Sequence, residues 1–219
     1  EILSILEILA TCAAIGMSLS PIFDVLQMRK HKSPGERSHL PYLAMFASCI
    51  LWFLYGWQTS NILPVGVTNF VCGIFTGSYL YIYIRVSSSK KRWMVVLQSS
   101  VVLVAISSIF MYILQGEEKL IQTRMGLISS CSTIFSFVSP LSTMKTVLTT
   151  RSSASISKNL AGAGLINGLL WFAYGILIAD SFIIIPNAIC ILSAVLQIGL
   201  LIKFPSSRKI SLSAEKVIV

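Results

Sequence analysis

The sequence predicts an all-α integral membrane protein: seven transmembrane helices, built as two parallel three-helix bundles joined by an inversion linker helix. Three observations carry this expectation. Only 11% of the 219 residues are charged, against roughly 25% in soluble domains, and 55% are hydrophobic, with a mean hydropathy of +0.81. The apolar residues gather into long runs, most of which reach the ~20 residues needed to cross a bilayer. The first part of the chain also returns in the second, LWFLYG at 51–56 reappearing as LWFAYG at 170–175.

Taken in order, the runs read as helices over 2–27, 41–57, 63–85, 93–114, 124–148, 160–178 and 182–204. The second is short, about 25 Å at ~1.5 Å per residue, a length that a bundle tolerates. Polar connectors separate them: MRKHKSPGER, VSSSKKR, GEEK and TTRSSASISK, with a polar tail after Lys203. Cationic side chains fall on one side. Arg29, Lys30, Lys32, Arg37, Arg85, Lys90, Lys91, Arg92, Lys145, Arg151, Lys158, Lys203, Arg208, Lys209 and Lys216 share it, and only Lys119 and Arg124 lie opposite. Basic loops stay cytoplasmic, so the N-terminus is expected outside or in a lumen and the C-terminus in the cytosol. Glu1 and Glu7, without a basic stretch, do not read as a cleavable secretory signal.

The repeat is wider than its opening block. Cys12 returns as Cys131, Ser20-Pro21 as Ser139-Pro140 and Lys32-Ser33 as Arg151-Ser152, all 119 positions on. After a one-residue deletion in the outer loop the offset becomes 118, pairing Asn69 with Asn187 and Cys72 with Cys190. Helices one to three thus match five to seven. Three spans end on the opposite face from where they began, so a directly appended copy would be inverted. One unmatched span restores the direction, and helix four is read as that linker. The expected organisation is 1–86 first bundle, 87–120 linker helix with its loops, 121–204 second bundle and 205–219 cytosolic tail.

The side chains narrow the chemistry. Ser48, Trp52 and Tyr55 fall on one helix face at i, i+4 and i+7, as do Asn167, Trp171 and Tyr174. An amide buried in hydrocarbon without partners costs several kcal/mol, so Asn69 and Asn187 are expected to face the bundle interior. Two parallel copies then bring two Trp and two Asn toward a shared axis. Indole faces and amide groups suit the C–H faces and hydroxyls of a neutral polyol; interhelical packing and hydrogen bonding is the alternative. Pro21, Pro41 and Pro140, near the inner ends of helices one, two and five, read as hinges, although Pro41 also suits a helix start. Asp24 stands one turn after Pro21, either capping inner contacts or solvated at a helix end. The five cysteines lie singly in apolar runs and the two histidines in a polar loop, so neither a disulfide framework nor a metal site is expected.

On these features the chain resembles the SWEET family of sugar transporters, whose parallel repeats about an axis along the membrane normal are a known transporter plan. The resemblance rests on the three-one-three helix pattern, Ser-Pro in helices one and five, the Trp/Tyr-Gly blocks and the Asn pair. It implies passive sugar movement, with the Asn pair and Trp171 in the substrate pocket. It also implies an extracellular closure at Tyr55, Tyr174 and Asp180, for which ordinary interfacial placement of tyrosines is the alternative. Trp52 departs from many relatives, which carry a smaller residue, and a tighter pocket favouring a monosaccharide follows. Relatives carry a fourth proline at the start of helix six; Ser157 or Leu160 stands there instead.

No Asp, Glu, Lys, Arg or His falls near the middle of a span. Ion-driven carriers usually need one, so uniport by alternating access is expected, of mono- or disaccharides, without a cofactor. The expected partners are a small neutral sugar and the lipid bilayer, with no nucleic acid; a homo-oligomer is compatible, and the membrane is plasma or organellar. The net charge of +9 is explained by topology, and no basic run alternates with aromatics as a nucleic-acid groove requires. A Pro-Gln-loop type carrier of another small solute, such as amino acids, is the alternative, ahead of a seven-helix receptor. An enzyme is not expected, since no nucleophile–base pair or metal set falls within the spans.

Overall fold

The computed structural model describes residues 1–35, 37–136 and 138–205. The tail from 206 onward, with Arg208, Lys209 and Lys216, lies outside the described residues. The helices are α1 (Ile2–Ser18), α2 (Ile22–His31), α3 (Leu40–Gln58), α4 (Val67–Val86), α5 (Ser89–Ile113), α6 (Glu118–Ser136), α7 (Val138–Thr150), α8 (Lys158–Leu177) and α9 (Ser181–Lys203). No strand occurs among the described residues. Joined end to end, α1 with α2 and α6 with α7 each make one span. Seven stretches are thus long and apolar enough to cross a membrane: Ile2–His31, Leu40–Gln58, Ile62–Val86, Ser89–Ile113, Glu118–Thr150, Lys158–Leu177 and Ser181–Lys203.

Local chemistry explains where the helices differ from the sequence expectation. Helix one is broken rather than continuous to 27. Pro21 has no N–H for the Met17 carbonyl, which accepts from Ser20 N at 3.1 Å instead, and Val25 N to Pro21 O at 3.0 Å opens α2. Regular helix in the third span starts at Val67, behind a π turn at Ile62–Gly66 in which Leu63 is extended (φ −115°, ψ 127°). Helix four begins earlier than expected, at Ser89, taking Lys90, Lys91 and Arg92 into its first turn; long cationic side chains are good helix formers that reach out to water. Helix five likewise begins at Glu118, a favourable charge in a first turn.

The packing is mirrored between the halves. α3 packs on α4 as α8 packs on α9, and α1 and α2 lie against α4 as α6 and α7 lie against α9. Across the halves, α1 meets α8 and α6 meets α3, while α5 touches α3, α4 and α6. The connectors 59–61, 114–117 and 178–180 lie on one face, called here the mouth face; 32–35, 37–39, 87–88 and 151–157 lie on the other, the basic face. A single buried cluster near the mouth face draws on both halves, with Ala10, Tyr55 and Val65 packed beside Met125, Trp171, Tyr174 and Ile183. Toward the basic face the core divides. Val25, Met28, Tyr42, Tyr79 and Tyr83 form one cluster with Val95 of α5, and Val147, Ile156 and Ala161 form another. The halves share a core at the mouth and have separate cores at the basic face.

Candidate functional site

The repeated Trp-x-x-Tyr-Gly block builds the site from α3 and α8. Its glycine is needed because the backbone of the next segment passes close by. A Cβ on Gly56 would stand 2.7 Å from Gly66 N and 2.9 Å from the Asn61 carbonyl oxygen, and one on Gly175 would stand 3.1 Å from Ile184 N. That approach brings the starts of the third and seventh spans against the ends of the second and sixth. Each tryptophan meets the tyrosine of its own block edge-on, Trp52 and Tyr55 at 5.5 Å and 88°, Trp171 and Tyr174 at 5.8 Å and 86°.

Below the block, toward the basic face, lies a cavity of ≈ 210 Å³ between the halves. Its walls come in pairs one repeat apart: Ala14 with Thr133, Ser48 with Asn167, Trp52 with Trp171, Val65 with Ile183 and Asn69 with Asn187, to which Thr68 adds an unmatched hydroxyl. None of these side chains ionises. The sequence-expected binding residues are thus brought together. Both asparagines hold the same pose. Nδ2 of Asn69 donates to the Val65 carbonyl at 2.9 Å and Nδ2 of Asn187 to the Ile183 carbonyl at 2.8 Å, which leaves each Oδ1 without a partner among the described residues. Asn167 Oδ1 is buried and unpartnered among the described residues as well.

The pairing is imperfect in one respect. Trp52 Nε1 donates to Thr133 Oγ1 at 2.9 Å, and Ser48 Oγ pairs with Ser132 Oγ at 3.0 Å, both across the halves. Ala14 occupies the repeat position equivalent to Thr133 and offers no hydroxyl, and the Trp171 N–H has no partner among the described residues. One indole is tethered and the other is free to donate. Thr133 and Ser132 were not expected from the sequence; counting back 119 positions from them reaches Ala14 and Ala13, which carry no polar signal.

Above the cavity the mouth is shut by two reciprocal hydrogen bonds. Tyr55 OH donates to Asp180 Oδ2 at 2.7 Å, and Tyr174 OH donates to Asn61 Oδ1 at 3.0 Å. The expected Tyr–Asp contact therefore involves Tyr55 alone. The partner of Tyr174 is Asn61, which sequence reasoning missed, although Asn61 and Asp180 stand 119 apart and the repeat offset marks them as equivalents. Asp180 also caps α9, Oδ1 accepting from Phe182 N at 2.9 Å and Ile183 N at 3.3 Å.

On the basic face, Pro21 directly precedes α2, Pro41 is the second residue of α3 and Pro140 the third of α7. Each stands where an inner helical segment begins. Asp24 pairs with Arg37 of its own half at 3.0 Å, and the same guanidinium donates to Gln27 Oε1 at 2.9 Å. At the sixth span Ser157 is the N-cap of α8, its Oγ accepting from Leu160 N at 3.3 Å. A capping serine starts this helix where relatives are expected to use proline.

A paired, uncharged cavity between two repeats of three spans defines a carrier for a small neutral solute. A family model described as "Sugar efflux transporter for intercellular exchange" matches residues 4–91 and 123–209, once for each repeat. The chain belongs to the SWEET family of sugar transporters, and its activity is facilitative sugar transport, not catalysis. Among curated relatives, "Sugar transporter SWEET1" of Drosophila pseudoobscura pseudoobscura is 29% identical over 207 residues, covering 91% of this chain and 89% of the relative. "Sugar transporter SWEET1" of Dictyostelium discoideum is 26% identical, with 94% of each chain covered. The solved structure of a eukaryotic SWEET transporter superposes with a TM-score of 0.87 at 24% identity, over 92% of this chain and 96% of that one. That likeness concerns the fold.

Proposed function

We propose that this chain is a uniporter that moves a neutral sugar by alternating access, with 1–86 and 121–204 as the two moving bundles and 87–120 as their linker. The observation that carries the reading is the cavity: paired walls, two indoles, three unpartnered amide oxygens and no charge. Amide oxygens accept from sugar hydroxyls, Trp171 Nε1 donates to a ring or hydroxyl oxygen, and the indole faces cover C–H groups. A volume of ≈ 210 Å³ lies below the ~300 Å³ at which pockets for drug-sized molecules begin, which favours a monosaccharide over a disaccharide. The absence of an ionisable wall favours uniport over an ion-coupled cycle. It also disfavours an amino-acid zwitterion, which asks for charged partners or helix ends.

The basic face is assigned to the cytosol on the lysine and arginine bias, so the mouth opens outside or into a lumen. The described conformer then has its outer mouth closed. In the outward-facing conformer the Tyr55–Asp180 and Tyr174–Asn61 bonds break, and the inner segments α2 and α7 approach to close the other end. The segment starts at Pro21, Pro41, Pro140 and Ser157 take up the bend. Uptake of labelled glucose by proteoliposomes tests the site. Asn69→Ala and Asn187→Ala, folded and inserted, are expected to lower flux at sub-saturating sugar at least fivefold each, about 1 kcal/mol per lost hydrogen bond. Intact flux in both refutes the assignment. Comparable transport of glucose and sucrose contradicts the monosaccharide preference, and competition by amino acids instead of sugars establishes the rival carrier.

A further inference from the structure

The basic face holds another cavity, which shares no lining residue with the paired cavity between the halves. It is open, ≈ 690 Å³, and lies where the ends of α2 and α4 meet the start of α5, with Lys32, Arg85 and Lys91 around it and Ser33, Gly35 and Ser88 between them. Among the described residues no acidic side chain lines it. Lys91 is held in place, its Nζ 5.3 Å from the centre of the buried Tyr83 ring. Lys32 and Arg85 have no hydrogen-bond, ion-pair or ring partner among the described residues. The first turn of α5 adds backbone N–H groups, for its N-cap Ser88 makes no side-chain capping bond.

The second half shows that this arrangement is not forced by the fold. Arg151 and Lys203 are the repeat equivalents of Lys32 and Arg85, and Phe204 stands where Val86 stands. There the cations cover the Phe204 ring, Arg151 Cζ at 5.2 Å and Lys203 Nζ at 5.7 Å from its centre. Ser153 N also donates to the Phe204 carbonyl at 2.9 Å. The same positive charges are consumed internally in one half and left facing an opening in the other. Trp93, two residues after Lys91, is 74% exposed, and exposed tryptophans are enriched where a bilayer meets water.

We infer that this cavity binds the phosphorylated headgroup of an anionic membrane lipid, a phosphoinositide by charge. Three cations and an uncapped helix start match a multiply charged phosphate, and the size falls within the ~300–1,000 Å³ of small-molecule sites. A headgroup held there ties the inner segment α2 to α4 and to the linker helix α5. The site stands apart from the sugar reading and is tested without sugar.

The full chain in detergent is titrated with dioctanoyl phosphatidylinositol bisphosphate, dioctanoyl phosphatidylcholine and inositol trisphosphate, following thermal unfolding. The inositide lipid is expected to raise Tm in a salt-sensitive way and the choline lipid to leave it unchanged. Lys32→Gln with Arg85→Gln is expected to weaken binding about 30-fold, taking a roughly fivefold attraction per cation near an anionic surface. Lys145→Gln in the second half stays within twofold, and Lys32→Arg with Arg85→Lys retains binding. A monodisperse gel-filtration profile and an unchanged helical circular-dichroism spectrum in detergent show that each variant folds. Equal losses in the Lys145 variant, or undiminished binding in the double glutamine variant, overturn the site. Equal stabilisation by inositol trisphosphate at the same concentrations overturns the lipid as its ligand.

Discussion

Asp180 uses its two carboxylate oxygens for different purposes. Oδ1 accepts from two backbone N–H groups and starts α9, while Oδ2 accepts from Tyr55 across the mouth. The two roles separate by substitution. Tyr55→Phe removes only the cross-mouth bond, a hydrogen bond to a charged group and so about 1.5–3 kcal/mol. It is expected to shift the population toward the mouth-open conformer with little change in thermal stability. Asp180→Ala removes the cap as well and is expected to cost a further ~0.5–2 kcal/mol of stability. Unfolding in detergent, read beside labelling of a mouth-side cysteine, distinguishes the two variants; equal loss of stability in both contradicts the division of roles. Asn61 could have been read from the sequence by its repeat offset from Asp180. The tether of Trp52 to Thr133 could not, because a hydroxyl in an apolar run does not say which neighbour it reaches.

Among the elements, α9 shows how a broken rule is compensated. Pro186 lies inside the helix, where it offers no N–H to the carbonyl four residues back. That carbonyl belongs to Phe182, and Ser130 Oγ of α6 donates to it at 2.8 Å. Thr11, the repeat equivalent of Ser130, instead pairs with Thr68 Oγ1 at 2.8 Å, and Thr68 occupies the place of Pro186. Each half therefore ties its first span to its third at the same level with different chemistry. Ser130→Ala is expected to destabilise the protein by about 0.6–1.7 kcal/mol, and Pro186→Ala in that background to restore part of the loss by returning the backbone donor. No rescue in the double variant, measured by unfolding, contradicts this. Gly56→Ala is expected to cost about 1–3 kcal/mol, since its Cβ meets backbone at 2.7 Å, and Gly73→Ala much less, since its Cβ meets only Cys49 Cβ at 3.6 Å. Equal melting temperatures for the two contradict the close-approach account of the block.

At the scale of the whole molecule, the seven spans and the repeat were legible because hydrocarbon imposes length and composition on every crossing segment. Individual lengths were less so. The break before Ile22, the π turn at Ile62–Gly66 and the early starts of α5 and α6 depend on backbone partners and on charges at helix ends, which apolar run length does not report. The six candidate binding residues, Ser48, Trp52, Asn69, Asn167, Trp171 and Asn187, line one cavity. Their spacing and the repeat placed them on facing surfaces. Which halves hold which hydrogen bonds was not legible, because the repeat copies positions and not side chains. A shared core at the mouth with divided cores at the basic face is the form expected of one conformer in an alternating cycle. For such a cycle, sugar entering proteoliposomes is expected to stop at equal concentrations inside and out, whatever the proton or sodium gradient. Accumulation driven by either gradient contradicts uniport.

The most direct measurement of the central claim is the accessibility of the cavity from each side. A single cysteine at Ala14, with the native cysteines replaced, is labelled by a membrane-impermeant thiol reagent applied from the basic face or the mouth face, with and without glucose. The account predicts labelling from the basic face, protection by glucose, and increased labelling from the mouth face once Tyr55→Phe and Tyr174→Phe remove both closing bonds. A cysteine that labels from neither side, or that glucose fails to protect in a transport-competent protein, contradicts a central sugar site reached alternately from the two faces.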